Sequence, residues 1–67
     1  MKIFLNGKEK YVDGDISNLD ELIGSIMKSE KGKIIEFNGK VVKKEERGNI
    51  SLKDGDRIEM IQFMGGG

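Results

Sequence analysis

Met1-Lys2-Ile3-Phe4-Leu5 alternates, with Met1, Ile3 and Leu5 on one face of an extended chain and Lys2 and Phe4 on the other. This is the period of a β-strand. Asn6-Gly7 follows, the strongest short hairpin signal because both residues tolerate positive φ. Lys8 to Val12 is the return strand; Lys8 and Lys10 fall on the same side as Val12, so the poor alternation predicts a sheet edge kept soluble by charge. Asp13-Gly14-Asp15 is a turn, and it fails as a calcium loop because the downstream ligands and closing glutamate are missing. Ser17 then suits a helix N-cap, with Asp20 three residues on in a capping-box arrangement and Glu21 adding negative charge near the helix start. Leu19, Leu22, Ile23, Ile26 and Met27 follow the i, i+3, i+4, i+7, i+8 spacing of one helical stripe. Such a stripe reads as core. Gly24 and Ser25 lie within it, the glycine at a cost of about 1 kcal/mol relative to alanine. Lys28 and Lys31 suit the negative end of the helix dipole, and Gly32 suits its terminating residue.

Beyond the helix, Lys33–Phe37 reads as a third strand that Asn38-Gly39 turns into Lys40-Val41-Val42. Lys43-Lys44-Glu45-Glu46-Arg47-Gly48 carries charges of both signs without interleaved aromatics, which is the pattern of a solvated loop rather than a nucleic-acid site. Ile50 and Leu52 alternate and are expected to dip back against the core, and Lys53-Asp54-Gly55-Asp56 turns the chain into a last strand, Arg57–Phe63. The order predicts an α+β domain, a mixed sheet of four to five strands with one main helix packed on one face. One helical stripe covers only one face. Ile58 and Met60 are assigned to the helix side with Ile3 and Leu5, which leaves Phe4, Ile61 and Phe63 on the open side near the end of the strand. Apolar residues grouped in water point to a partner surface, and Met64 continues it toward the chain end.

That end is Gly65-Gly66-Gly67. Residues 1–64 are expected to form one domain and residues 65–67 a flexible tail, which spans roughly 10 Å at about 3.3–3.6 Å per residue. It presents the Gly67 α-carboxylate, an anion at neutral pH. Glycine repeats alone equally describe a frayed end or an appended linker. Composition narrows the chemistry. The chain has 67 residues with no cysteine and no histidine, which removes thiolate chemistry, the usual general base and the commonest neutral metal ligand. Twelve basic residues balance twelve acidic ones, so no net field points to nucleic acid or to an anionic membrane. No apolar run approaches the length of a membrane span and no signal-peptide pattern opens the chain. The expectation is a soluble, cytoplasmic protein, not an enzyme on its own, with no cofactor or metal of its own.

The ordered fragments Met1-Lys2-Ile3-Phe4-Leu5-Asn6-Gly7-Lys8, the helix with Leu19, Leu22 and Ile23, Glu36-Phe37-Asn38-Gly39-Lys40-Val41-Val42, Leu52-Lys53-Asp54-Gly55-Asp56-Arg57-Ile58-Glu59 and Gln62-Phe63-Met64-Gly65-Gly66-Gly67 together resemble the ThiS family, the sulfur carriers of thiamine biosynthesis. The resemblance spans the whole chain and implies the ubiquitin-like β-grasp fold. The charged Lys43–Arg47 segment departs from it, since many members carry a proline-containing turn or short helical turn there. The resemblance implies that a ThiF-type (E1-like) adenylating enzyme spends ATP to convert Gly67 to an acyl-adenylate. A sulfur donor such as a cysteine desulfurase then supplies sulfur, giving a thiocarboxylate that is delivered to a ThiG-type thiazole synthase. Gly65 and Gly66 would thread the partner's active site, since glycine has no Cβ to obstruct a narrow cleft. Phe4, Ile61, Phe63 and Met64 would form the partner-binding surface. Other readings stay open on sequence alone: a carrier for molybdopterin or another sulfur pathway, a ubiquitin-like modifier joined to lysines through Gly67, or an interaction module with an inert tail.

Overall fold

Both Asn-Gly pairs lie in the left-handed region, Asn6 at φ 51° and Gly7 at 83°, Asn38 at φ 49° and Gly39 at 87°. Positive φ at both central residues is the geometry of a tight hairpin turn matched to strand twist. Each pair closes one hairpin. In the computed structural model, which describes residues 1–28 and 32–62, the first joins β1 (Lys2–Leu5) to β2 (Lys8–Tyr11) and the second joins β3 (Lys33–Phe37) to β4 (Lys40–Val41). β5 (Arg57–Gln62) enters between them, and the sheet runs β2-β1-β5-β3-β4. β5 is parallel to β1, with Phe4 opposite Arg57 and Leu5 opposite Ile58. It is antiparallel to β3, from Lys33 opposite Gln62 to Phe37 opposite Ile58. The last strand of the chain is thus the centre of a mixed sheet.

One helix, α1 (Leu19–Ile26), buries Leu19, Leu22 and Ile23, while Ile26 and Met27 pack at the margin of the core. Ile3, Val12, Ile35, Leu52 and Ile58 complete the buried interior, joined by the partly buried Leu5, Phe37, Ile50 and Met60. Ile3 and Leu5 therefore share the helix side with Ile58 and Met60, as the alternation requires. Among the described residues no helix is long and apolar enough to cross a membrane.

Three local expectations are corrected. The N-cap is Asn18, not Ser17: Asn18 Oδ1 accepts the Glu21 amide at 2.8 Å, and Glu21, not Asp20, closes the box. Glu21 Oε1 accepts from the Ser17 amide (2.8 Å), the Ser17 hydroxyl (3.1 Å) and the Asn18 amide (3.3 Å). The Ser17 and Asn18 amides and the Ser17 hydroxyl hold the Glu21 carboxyl below its ordinary value. Ser17 stays outside because its carbonyl accepts the Leu52 amide at 3.0 Å, while Ile50 O accepts the Leu19 amide at 2.9 Å. These bonds flank a β-bridge between Asn18 and Ser51. At the other end the helix stops at Ile26, with Met27 extended as its C-cap, so Lys28 lies past the last turn. Gly32, at φ 73°, turns the chain before β3 rather than ending the helix; Lys31 lies outside the described residues. Finally, the charged segment is no solvated loop but a 3₁₀ helix, Lys44–Asn49, with Arg47 only 5% exposed. Formal charge misleads here, because an arginine stem is long and apolar. Arg47 and the half-buried Ile50 are three residues apart, the repeat of a 3₁₀ turn.

Gly24 is exposed in mid-helix, and a Cβ built there meets nothing within 4 Å. Gly24→Ala is expected to stabilise the domain by about 0.5–1 kcal/mol, through helix propensity and a less flexible unfolded chain. An upward shift of the thermal midpoint checks it, and a downward shift would contradict the open space at this position.

Candidate functional site

β5 is fastened at its start and in its middle by the same device. Asn38 Oδ1 accepts the Arg57 amide at 2.8 Å and the Asn38 amide donates to Arg57 O at 2.8 Å. Asn6 Oδ1 accepts the Met60 amide at 2.8 Å and the Asn6 amide donates to Ile58 O at 2.9 Å. Glycine would serve the positive φ equally well, but only asparagine adds a side-chain carbonyl to take an amide of the neighbouring strand. The hairpin turns are therefore also clamps on the strand that leads to the glycine end.

The turn before β5 is locked by a buried carboxylate. Asp56 is 2% exposed and accepts from the Lys53 amide (2.8 Å), Lys53 Nζ (3.0 Å) and Asn38 Nδ2 (3.1 Å). Burial pushes its carboxyl up, but the bonds from Asn38 and Lys53 and the lysine charge outweigh that and hold it below the ordinary aspartate range. Its stabilising share is therefore complete above the ordinary aspartate pKa and lost as pH falls through the lowered folded value. Gly55, at φ 86°, donates its amide to Lys2 O at 2.8 Å, and Asp54 Oδ1 accepts the Lys2 amide at 2.8 Å. Turn, hairpin and first strand all converge on the origin of β5.

The face of the sheet opposite α1 follows from register. Phe4 opposes Arg57 and Glu9, Ile61 opposes Ile34, Glu59 opposes Glu36, and Glu36 opposes Val41. Phe4 and Ile61 thus lie on the open side, as the alternation places them. Ile61 is 40% exposed. Phe4 is half-buried because cations cover its ring: the Arg57 guanidinium carbon sits 4.9 Å from the ring centroid and Lys2 Nζ 5.7 Å, within the range of cation–π attraction. Lys2 Nζ also pairs with Glu9 at 3.3 Å. Phe63, Met64, Gly65, Gly66 and Gly67, also named from the sequence, lie outside the described residues.

Three members of this face escape the sequence reading: Ile34, Tyr11 (77% exposed) and Val41 (64% exposed). The doublets Ile34-Ile35 and Val41-Val42 carry the signal, since adjacent strand residues point to opposite faces and one of each pair must face away from the helix. A shallow concavity of about 220 Å³ on the helix side, lined in part by Val12, Ile16, Leu22 and Ser25, is smaller than the roughly 300–1,000 Å³ typical of ligand pockets. The geometry favours a surface for a macromolecule over a small-molecule pocket.

The family model described as "ThiS family" matches residues 3–67. The chain is 35% identical over 63 residues to the sulfur carrier protein ThiS of Bacillus subtilis (strain 168), covering 94% of this chain and 96% of that protein. It is 28% identical over 67 residues to a thiazole synthase of Paramagnetospirillum magneticum; all of this chain is covered, but it spans only 20% of that protein's length. Among solved structures, the crystal structure of the thiamine biosynthesis protein ThiS from Geobacter metallireducens superposes with a TM-score of 0.82 at 38% identity, with 100% of both chains covered. The match carries the β-grasp assignment over the full sheet and helix.

Proposed function

Because the chain belongs to the ThiS family, we propose that it is a sulfur carrier of thiamine biosynthesis whose Gly67 carries the sulfur. The observation that carries this reading is the family match, which runs through the whole sheet to Gly67 itself. An ionised carboxylate resists nucleophilic attack. A ThiF-type enzyme joins Gly67 to AMP from ATP, expelling pyrophosphate and leaving a mixed anhydride with a good leaving group. The outer sulfur of a persulfide on a donor such as a cysteine desulfurase displaces AMP to give an acyl disulfide. A thiol then cleaves its S–S bond, becoming part of a disulfide and releasing the thiocarboxylate, the form consumed by a thiazole synthase. That a thiazole synthase contains a segment similar to this chain supports such a synthase as the downstream partner. ATP and the catalytic groups belong to the partners; this chain contributes the handle and the reacting end, a carrier rather than a catalyst. Gly65 and Gly66 provide backbone without side chains for passage through a narrow cleft.

The open face supplies the handle. Ile61 and Phe4 stand on it, and Phe63 and Met64 follow in the sequence before the glycines. Interface energy concentrates in a few such anchors. Ile61→Ser is expected to weaken binding of a ThiF-type enzyme by more than tenfold, which corresponds to about 1.4 kcal/mol per decade. It should change the stability of the isolated domain by no more than about 1 kcal/mol, the span of strand preferences at an exposed site. Met60→Ser makes the contrast. Met60 packs against the core, so serine there opens a cavity and buries a hydroxyl. Calorimetry of both variants, alone and with enzyme, tests the surface; unfolding by Ile61→Ser with binding loss alone by Met60→Ser would reverse the two faces. The reaction itself is tested by ATP–pyrophosphate exchange with a ThiF-type enzyme, which should depend on this protein.

A further inference from the structure

β5 has two hydrogen-bonding edges, and they differ. Arg57 exchanges bonds with Asn38 on the β3 side, so by strand alternation Glu59 and Ile61 also bond toward β3, opposite Glu36 and Ile34. The intervening residues face β1: Ile58 O accepts from the Asn6 amide, and the Met60 amide donates to Asn6 Oδ1. There the β1 ladder ends, because the chain turns away at Asn6-Gly7. The next groups on that edge are the Met60 carbonyl and the Gln62 amide, and among the described residues neither has a hydrogen-bond partner on that side. Ile61 and Gln62 are exposed there.

Resting on the carrier reading above, we propose that this free edge of β5, the Met60 carbonyl and the Gln62 amide, is where an extended segment of the activating enzyme pairs with the carrier as an added strand. The sheet's outer edges argue for the difference. β2 carries Lys8, Glu9 and Lys10, and β4 carries Lys40, the charges that discourage strand addition. Met60-Ile61-Gln62 carries no charge. The chemistry of the tail argues for the occupant. Gly65, Gly66 and Gly67 offer a partner only backbone groups, so a protein that holds this end in register must bond to its main chain, and strand addition is the mode of peptide recognition that does so along a whole segment. Gly67 lies five residues past Gln62, at most roughly 18 Å along an extended chain at about 3.3–3.6 Å per residue. Pairing that begins at Met60 fixes the direction of approach before the reacting carbonyl is reached.

The test removes one hydrogen. Gln62→Pro deletes the amide on the free edge and leaves the β3 side of the ladder untouched, since Ile61 rather than Gln62 bonds to β3; proline is tolerated where a strand's N–H faces solvent. Gln62→Ala controls for the side chain and its 3.3 Å bond to Gly32 O. With a ThiF-type enzyme and ATP as the probe, Gln62→Ala should bind and support pyrophosphate exchange within about twofold of the parent, and Gln62→Pro should bind at least tenfold more weakly while both keep the same thermal midpoint within about 3 °C. Equal binding by the two variants would overturn the added strand and leave the carrier reading intact. No exchange with the parent chain would overturn the carrier reading and this inference with it. If Gln62→Pro fails to fold, a chemically ligated chain with an ester in place of the Gln62 amide takes its place, and unchanged binding by that chain overturns the inference.

Discussion

Leu22→Ala should lower the stability of the domain by about 2–5 kcal/mol, the range for truncating a large side chain in a packed interior. Leu22 is 1% exposed and stands in the middle of the helical stripe, between Leu19 at 0% and Ile23 at 0%. Ile3, Ile35 and Ile58, all at or below 1% exposure, bring the sheet into the same cluster. A domain of 67 residues is worth only about 3–10 kcal/mol in total, at roughly 0.05–0.15 kcal/mol per residue. One cavity at this position therefore removes a large part of the margin and populates the unfolded state at moderate temperature. Urea titration measures it directly, as a lowered midpoint with an unchanged slope. A variant that melted with the parent would mean that α1 does not carry the core.

Deleting Gly66 and Gly67 has the opposite profile: complete loss of adenylation with a thermal midpoint within about 2 °C of the parent, an interval worth well under 1 kcal/mol in a domain of this size. The core, both asparagine clamps and the Asp56 lock involve residues no later than Met60. The proposed chemistry, in contrast, would need the α-carboxylate at the reach that the full tail allows. The new terminal residue, Gly65, also bears a carboxylate, so loss of exchange would show that reach rather than charge is limiting. ATP–pyrophosphate exchange supported by the shortened chain would contradict the assignment of Gly67.

Much of this fold is legible in the sequence. Alternation at Met1–Leu5, the Leu19-Leu22-Ile23 stripe and the two Asn-Gly pairs are short-range signals, each decided by residues within one turn or one strand. They fixed the elements, and the division of faces in the last strand followed because one stripe covers one side. What was not legible depended on partners far along the chain. Ser17 and Asn18 are equally good caps locally; the choice of Asn18 is made by residues 50–52, which pair with the chain just before the helix. Arg47 reads as surface by charge and is buried by its place in a 3₁₀ turn that packs beside α1. Asn6 and Asn38 read as turn formers, and their second role, holding β5, requires knowing that residues 54 and 19 positions away arrive beside them. The central position of the last strand belongs to topology and is not written in the strand itself.

Intact-mass analysis after incubation with ATP, a ThiF-type enzyme and a sulfur source tests the central claim most directly. The account predicts that the protein gains the mass of one sulfur-for-oxygen exchange, that fragmentation places it on Gly67, and that the gain disappears when ATP is withheld. Gly67 recovered instead in an isopeptide bond on lysines of other proteins, or a chain returned with its mass unchanged by an enzyme active on a known carrier, would contradict it.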